Sequence, residues 1–188
     1  MEAIIISGMA SSGKSTLAKM LAEHYNIEYV CGGDMLKEIA KREGYNPTEN
    51  WWETEEGVEF LKKRQNNEEF DKLLDKLLIE RAEKGNCVIT SWALPWIWGK
   101  GIKIWLKASP EVRAKRMAKR DNMPFEEALK YIKTRDEENR KLYKKLYGYT
   151  LDKDLDVFDL VINTDDLKPE AIKDIVVKFI DEHVKAKA

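Results

Sequence analysis

An α/β fold, with a five-stranded parallel sheet and helices on both faces, is what the sequence predicts, and three observations predict it. Short apolar runs at residues 3–7, 27–31, 87–90, 102–106 and 160–163 alternate with segments of helical periodicity, the pattern of strands joined by crossover helices. The first run, Ala3 to Ser7, is continuous and β-branched, as in a strand buried on both faces. That run leads directly into Gly8-Met9-Ala10-Ser11-Ser12-Gly13-Lys14-Ser15, which satisfies G-x-x-x-x-G-K-[ST] between a strand and a helix.

Taken in order, Leu17, Met20 and Leu21 recur at helical spacing, so the first helix is expected over Thr16–Tyr25. A strand at Ile27–Cys31 follows, then a tight Gly32-Gly33-Asp34 turn into a helix from about Met35 to Glu43. Gly44-Tyr45-Asn46-Pro47 breaks that helix, and residues 48–67 show no regular period. Phe70, Leu73, Leu74, Leu77, Leu78 and Ala82 mark an amphipathic helix over Glu68–Glu83, with Gly85 placed as its C-terminal cap. After the third and fourth strands, Pro110 opens a basic helix to Arg120, and a densely charged helix runs from Phe125 to Tyr147, where Gly148 ends it. The fifth strand precedes a C-terminal helix from Pro169 to about Val184.

The loop at 8–15 carries the chemistry. Its glycines let the backbone curl so that N–H groups face phosphate oxygens, and the following helix contributes its positive dipole end. Gly8, Met9, Ala10, Ser11, Ser12, Gly13, Lys14, Ser15 and Thr16 therefore form a candidate triphosphate cradle. Lys14 is placed to neutralise the β- and γ-phosphates, and the Ser15 hydroxyl to ligate Mg²⁺. The cofactors implied are ATP as phosphate donor and Mg²⁺.

Composition bounds the partners. The 33 basic and 34 acidic residues nearly cancel, so no global field points to nucleic acid or to an anionic membrane. No segment approaches the ~20 apolar residues that span a bilayer. Cys31 and Cys87 lack metal-ligand spacing and read as buried free thiols of a reducing cytoplasm. A monomer or weak homodimer acting on small molecules is expected.

Phosphate-binding loops serve many functions, so the rest of the chain must choose. There is no N-K-x-D run for guanine, and no apolar strand ends in a D-x-x-G or D-E pair. A helical insert instead separates strands two and three, and a basic helical pair separates strands four and five. Polar residues outnumber apolar ones in that pair; it is either a solvated hairpin or a lid that closes over phosphates, and a triphosphate site earlier in the chain favours the lid. This is the plan of a nucleoside-monophosphate kinase: one domain over 1–188, with its core at 1–31, 84–109 and 148–188, an acceptor-binding insert at about 32–83, and a helical lid at about 110–147.

At IIISGMASSGKST, GGDMLKEIAKREG, FDKLLDKLLIERAEKGNCVI, IKIWLKASPEVRAKRMAKR and LYKKLYGYTLDKDLDVFDLVINT the chain resembles the cytidylate kinases, most closely their short archaeal form. The resemblance implies transfer of the ATP γ-phosphoryl group to CMP or dCMP. It also implies substrate roles for Asp71 and Asp75. The chain departs from the family pattern at four places, one of them a run of three residues. Thr90-Ser91-Trp92 stands where Glu-Gly-Arg is usual, Leu77 and Leu142 stand where arginines are expected, and Lys37 replaces an arginine. The loss of bidentate grip leaves Arg42 and Arg64 as candidate replacements, or a different acceptor.

Arg116, Arg120, Arg135 and Arg140 are lid candidates; the competing reading pairs them with Glu126, Glu127, Glu137 and Glu138 on the surface. Asp34 either holds a metal-bound water or contacts the acceptor, or it simply caps its helix. Trp92 is the tryptophan best placed to stack on the acceptor base, while Trp51, Trp52, Trp96 and Trp98 divide between base contacts and core. Two alternatives to CMP phosphorylation remain: phosphorylation of another small acceptor, and ATP binding by a regulatory module without turnover.

Overall fold

Each apolar run becomes a strand of one parallel sheet: β1 (Ile4–Gly8), β2 (Glu28–Cys31), β3 (Cys87–Thr90), β4 (Ile102–Lys107) and β5 (Leu160–Asn163), in the order β2-β3-β1-β4-β5. The computed structural model describes residues 1–48, 51 and 55–187. β1 lies at the centre, with Ile5 paired to Ile89 on one side and Lys103 on the other. The loop that follows β1 therefore leaves the sheet at the middle of its C-terminal edge, where ligands of open α/β sheets bind.

Side chains alternate across the sheet and divide the core in two. Ile4, Ile6, Val88, Ile104 and Leu106 pack beneath α1 (Lys14–Tyr25) and α8 (Pro169–Lys187). Ile5 and Ile89 pack on the opposite face beneath α2 (Gly32–Arg42), α3 (Glu55–Gln65) and α4 (Glu69–Glu83). The helices between β4 and β5, α6 (Pro110–Asp121) and α7 (Phe125–Tyr147), form an antiparallel hairpin. Its apolar seam is short, built from Ala114, Met117, Ala128 and Ile132 against Ala10. Among the described residues, no helix is long and apolar enough to cross a membrane.

Two local expectations are corrected, and one short helix is added. α2 starts at Gly32, not Met35, so the glycine pair lies inside its first turn and Cys31 takes the N-cap position. Gly32 is required there because a Cβ would come within 2.9 Å of the Thr90 carbonyl on β3. Residues 55–65 form α3, held by the buried Phe60, which packs edge-on or tilted against Tyr45, Trp51 and Phe70. A single helical turn, α5 (Leu94–Ile97), follows β3, with the Ser91 hydroxyl accepting from the Ala93 and Leu94 N–H groups.

The tryptophans are mostly structural. Trp51 is buried and donates to Glu56 at 2.6 Å. Trp96 stacks on Tyr149 with ring centres 4.2 Å apart and donates to the Asp154 carbonyl. Trp98 is buried and donates to Glu83. Trp52 lies outside the described residues. Cys87 is buried as expected, whereas Cys31 is half-buried at the end of β2.

Because Phe60 shares a continuous core with β1 and β3, the helical insert belongs to the cooperative unit. Phe60→Ala is expected to lower stability by about 3–5 kcal/mol, measured by urea denaturation followed by far-UV circular dichroism. A loss below about 1 kcal/mol would place α3 outside the core that holds the sheet.

Candidate active site

The loop from Gly8 to Ser15 is shaped by two left-handed glycines. Gly8 has φ +152°, and a Cβ there would lie 2.6 Å from both the Leu106 carbonyl and the Ser12 hydroxyl. Gly13 has φ +99° and serves as N-cap of α1, which has neither a side-chain cap nor an acidic residue in its first turn. The helix therefore presents bare N–H groups and an uncompensated dipole, an anion site by construction. The Ser11 and Ser12 hydroxyls are buried without a hydrogen-bond partner. N–H groups without a cap, orphaned hydroxyls and a lysine together fit a polyphosphate.

Lys14 Nζ donates to the Met9 carbonyl at 2.7 Å and sits 5.2 Å above the Trp92 ring. Burial, and then the nearby charges of Arg135 and Arg113, lower its pKa to about 7. A group so perturbed and so placed is a functional candidate on physical grounds.

Two cavities meet at this point, and Lys14 and Ser15 line both. The first, of about 490 Å³, runs along the loop between Arg116, Arg120, Leu167 and Pro169. Arg116 forms part of its wall, donating to the Ser12 carbonyl at 3.3 Å and to the Thr164 hydroxyl and carbonyl at 3.1 and 2.7 Å. Arg120 also lines it and pairs with Asp121 at 2.6 Å.

The second cavity, of about 230 Å³, is bounded by Cys31, Gly32 and Gly33 on one side and by Arg135, Asn139 and Tyr143 of α7 on the other. Trp92 forms part of its wall, its ring lying nearly parallel to Tyr143 at 6.1 Å. Arg135 is steadied by Tyr131, donating to its hydroxyl at 2.9 Å. Arg64, from α3, enters the same cavity and is held by Asp71 through three hydrogen bonds of 3.1, 3.0 and 2.5 Å. Asp75 lines it too and accepts a hydrogen bond from the Tyr147 hydroxyl. Burial raises the Asp75 carboxyl to about 6, opposed by the Tyr147 hydrogen bond and supported by the charge of Asp71.

The structure separates the remaining candidates. Arg140 is engaged by Asp152 at 3.0 and 2.6 Å and lines neither cavity. Asp34 and Arg42 are exposed, at the first turn and last residue of α2. Lys37 donates to the Thr48 carbonyl. Asp71 is fully engaged by Arg64 behind the cavity wall. Sequence reasoning missed Arg113, Asp136, Asn139 and the exposure of Cys31 to the cavity. Only the Tyr143 and Tyr147 spacing ahead of Gly148 offered a signal for the tyrosine side of the second cavity.

Residues 3–166 match the model of the cytidylate kinase-like family. The cytidylate kinase of Pyrococcus horikoshii is 38% identical over 179 residues, covering 95% of this chain and 88% of its own. That of Methanocaldococcus jannaschii is 38% identical over 183 residues, covering 95% and 97%. Among solved structures, an uncharacterized protein from Eubacterium ventriosum superposes with a TM-score of 0.71 at 22% identity, covering 96% of this chain and 99% of that one. The shikimate kinase of Bacteroides thetaiotaomicron superposes with a TM-score of 0.63 at 18% identity, covering 96% and 98%. The structural neighbours share the fold; the sequence relatives and the family model carry the assignment, and the chain belongs to the cytidylate kinase-like family.

Proposed function

We propose that the chain transfers the γ-phosphoryl group of ATP to CMP, and to dCMP where the 2′-hydroxyl is not required. The observation that carries this is the meeting of two cavities at Lys14 and Ser15, which puts two phosphate-bearing ligands end to end. The larger cavity takes the donor. Its triphosphate lies on the N–H groups of the loop and α1, with Arg116 and Arg120 alongside. The smaller cavity takes the acceptor, with Arg64 and Arg135 toward its phosphate and Asp75 toward its base. The insert at 32–83 is the acceptor-binding part and the hairpin at 110–147 the lid.

Phosphoryl transfer needs positioning and charge neutralisation more than covalent help. Lys14 and Arg135 stand on opposite sides of the transfer point and stabilise charge on the migrating group. Mg²⁺ suits the Ser15 hydroxyl, because this ion takes most of its ligands from phosphate and water; bound there, it neutralises phosphate charge. Among the described residues, no cluster of three metal-ligating side chains competes for it. Arg64, fixed by Asp71, compensates for the arginine replaced by Leu77. One chain supplies both cavities, so a cytosolic monomer suffices.

Coupled ATP turnover with CMP, dCMP, UMP, AMP and GMP supplied separately tests the reading. CMP should stimulate most, and Lys14→Ala should lower kcat by about 10²- to 10³-fold with the fold intact. ATP binding with no acceptor-dependent turnover would favour the regulatory alternative. A second outcome concerns protons. Lys14, near 7 when no phosphate is beside it, becomes a stable ammonium next to a triphosphate, so ATP binding should take up about one proton at pH 8. ATP affinity should accordingly fall as pH rises above 7; titration calorimetry in two buffers of different ionisation heat measures both.

Asp75 gives the opposite sign. Ionised above about pH 6, it accepts from the exocyclic amino group of cytosine, so the KM for CMP should rise as pH falls through 6. Asp75→Asn should flatten that dependence and raise the KM by about tenfold; an unchanged pH profile would remove Asp75 from base recognition.

A further inference from the structure

Arg113 and Asp136 are charged, buried and assigned no role by the site described above. Their side chains are 2% and 4% exposed. The Arg113 guanidinium places hydrogen bonds in three directions. Nε donates to the Ala108 carbonyl at 3.1 Å, just past β4. Nη1 donates to the Ala10 carbonyl at 3.2 Å, in the phosphate loop, and to Asp136 at 3.0 Å. Nη2 donates to the other oxygen of Asp136 at 2.5 Å. A planar fork of five donors can make this set at once, and an ammonium cannot.

A hydrophobic filler would hold a helical hairpin as well as this pair does, and often better. What an apolar pair cannot do is grip a loop carbonyl. In a trans peptide the carbonyl and the following N–H point in opposite directions. Drawing the Ala10 carbonyl outward to Arg113 therefore turns the Ser11 N–H the other way, into the phosphate hollow. Arg116, one turn further along α6, does the same to the Ser12 carbonyl and hence to the Gly13 N–H. On the far side, Asp136 is the chain neighbour of Arg135, so the ion pair also fixes the register at which α7 presents Arg135 to Lys14.

We infer that Arg113 and Asp136 are a positioning pair for phosphoryl transfer: Arg113 orients the phosphate loop by its Ala10 carbonyl and, through Asp136, sets α7 so that Arg135 faces the transfer point. Neither residue touches substrate. The inference rests on the phosphotransferase reading for its kinetic consequence, but not for its structural one.

The test replaces the pair by apolar groups, Arg113→Met with Asp136→Leu, so that no buried charge is stranded. Arg113→Lys is a second variant that keeps the charge and loses the fork. Wild-type turnover of ATP with CMP is measured first; its absence would count against the proposed function alone. Amide hydrogen exchange then tests the pair whether or not there is turnover. In both variants, residues 9–12 and the turn of α7 around Arg135 should exchange faster, while far-UV circular dichroism and β1 stay unchanged. In the kinetics, kcat should fall by about 10- to 100-fold, while the KM for CMP moves by less than about threefold. Retention of kcat within about threefold in a stably folded variant, or unchanged exchange at residues 9–12, would overturn the inference and leave the pair a packing element.

Discussion

Gathering positive charge in a half-buried hollow is the constraint on which the rest of the structure depends. Phosphate transfer calls for cations close together, and cations close together repel. The fold answers in two ways. Arg64 and Arg113 each receive a buried carboxylate, Asp71 and Asp136, that fixes the side chain and cancels its charge behind the cavity wall. Among the described residues Lys14 has no carboxylate partner, and burial, with the charges of Arg135 and Arg113, makes its ammonium easy to deprotonate. The carboxylates hold Arg64 and Arg113 in position, while Lys14 becomes a stable ammonium when a phosphate lies beside it.

How much could be read in the sequence follows from how far each interaction reaches along the chain. The five strands rest on five apolar runs, and the phosphate loop on eight consecutive residues, so both were legible. Arg113 was not. Its partners are Ala10, 103 residues away, and Asp136, 23 residues away, and nothing local distinguishes it from the surface arginines of a basic helix. α3 escaped notice for a related reason: its stability comes from an aromatic cluster whose members, Tyr45, Trp51, Phe60 and Phe70, are scattered in sequence. Gly32 and Gly33 looked like a turn because glycine usually is one. Here close approach to β3, a tertiary fact, places Gly32 inside a helix.

The aromatic residues show the same division between what a side chain could do and what its neighbours permit. Trp96, Tyr149, Tyr147, Tyr143 and Trp92 lie nearly face to face in a ladder that runs from the core to the second cavity. Only its outer members, Trp92 and Tyr143, reach the cavity wall, and Tyr147 meets Asp75 there. A ring stacked in this way loses little further freedom when a ligand arrives, so the wall is rigid before binding.

The common wall of Lys14 and Ser15 bears on how such a site can diverge. Any change at those two residues is felt by both ligands at once, which leaves little room for variation there. The far end of the smaller cavity is free of that coupling. Of the positions where the chain departs from its family pattern, Thr90, Ser91 and Trp92 line the smaller cavity, Leu77 packs against the core beside it, and none lies in the phosphate loop. The wall of the smaller cavity can thus change while the phosphate loop, and the charge it gathers, stays as it is.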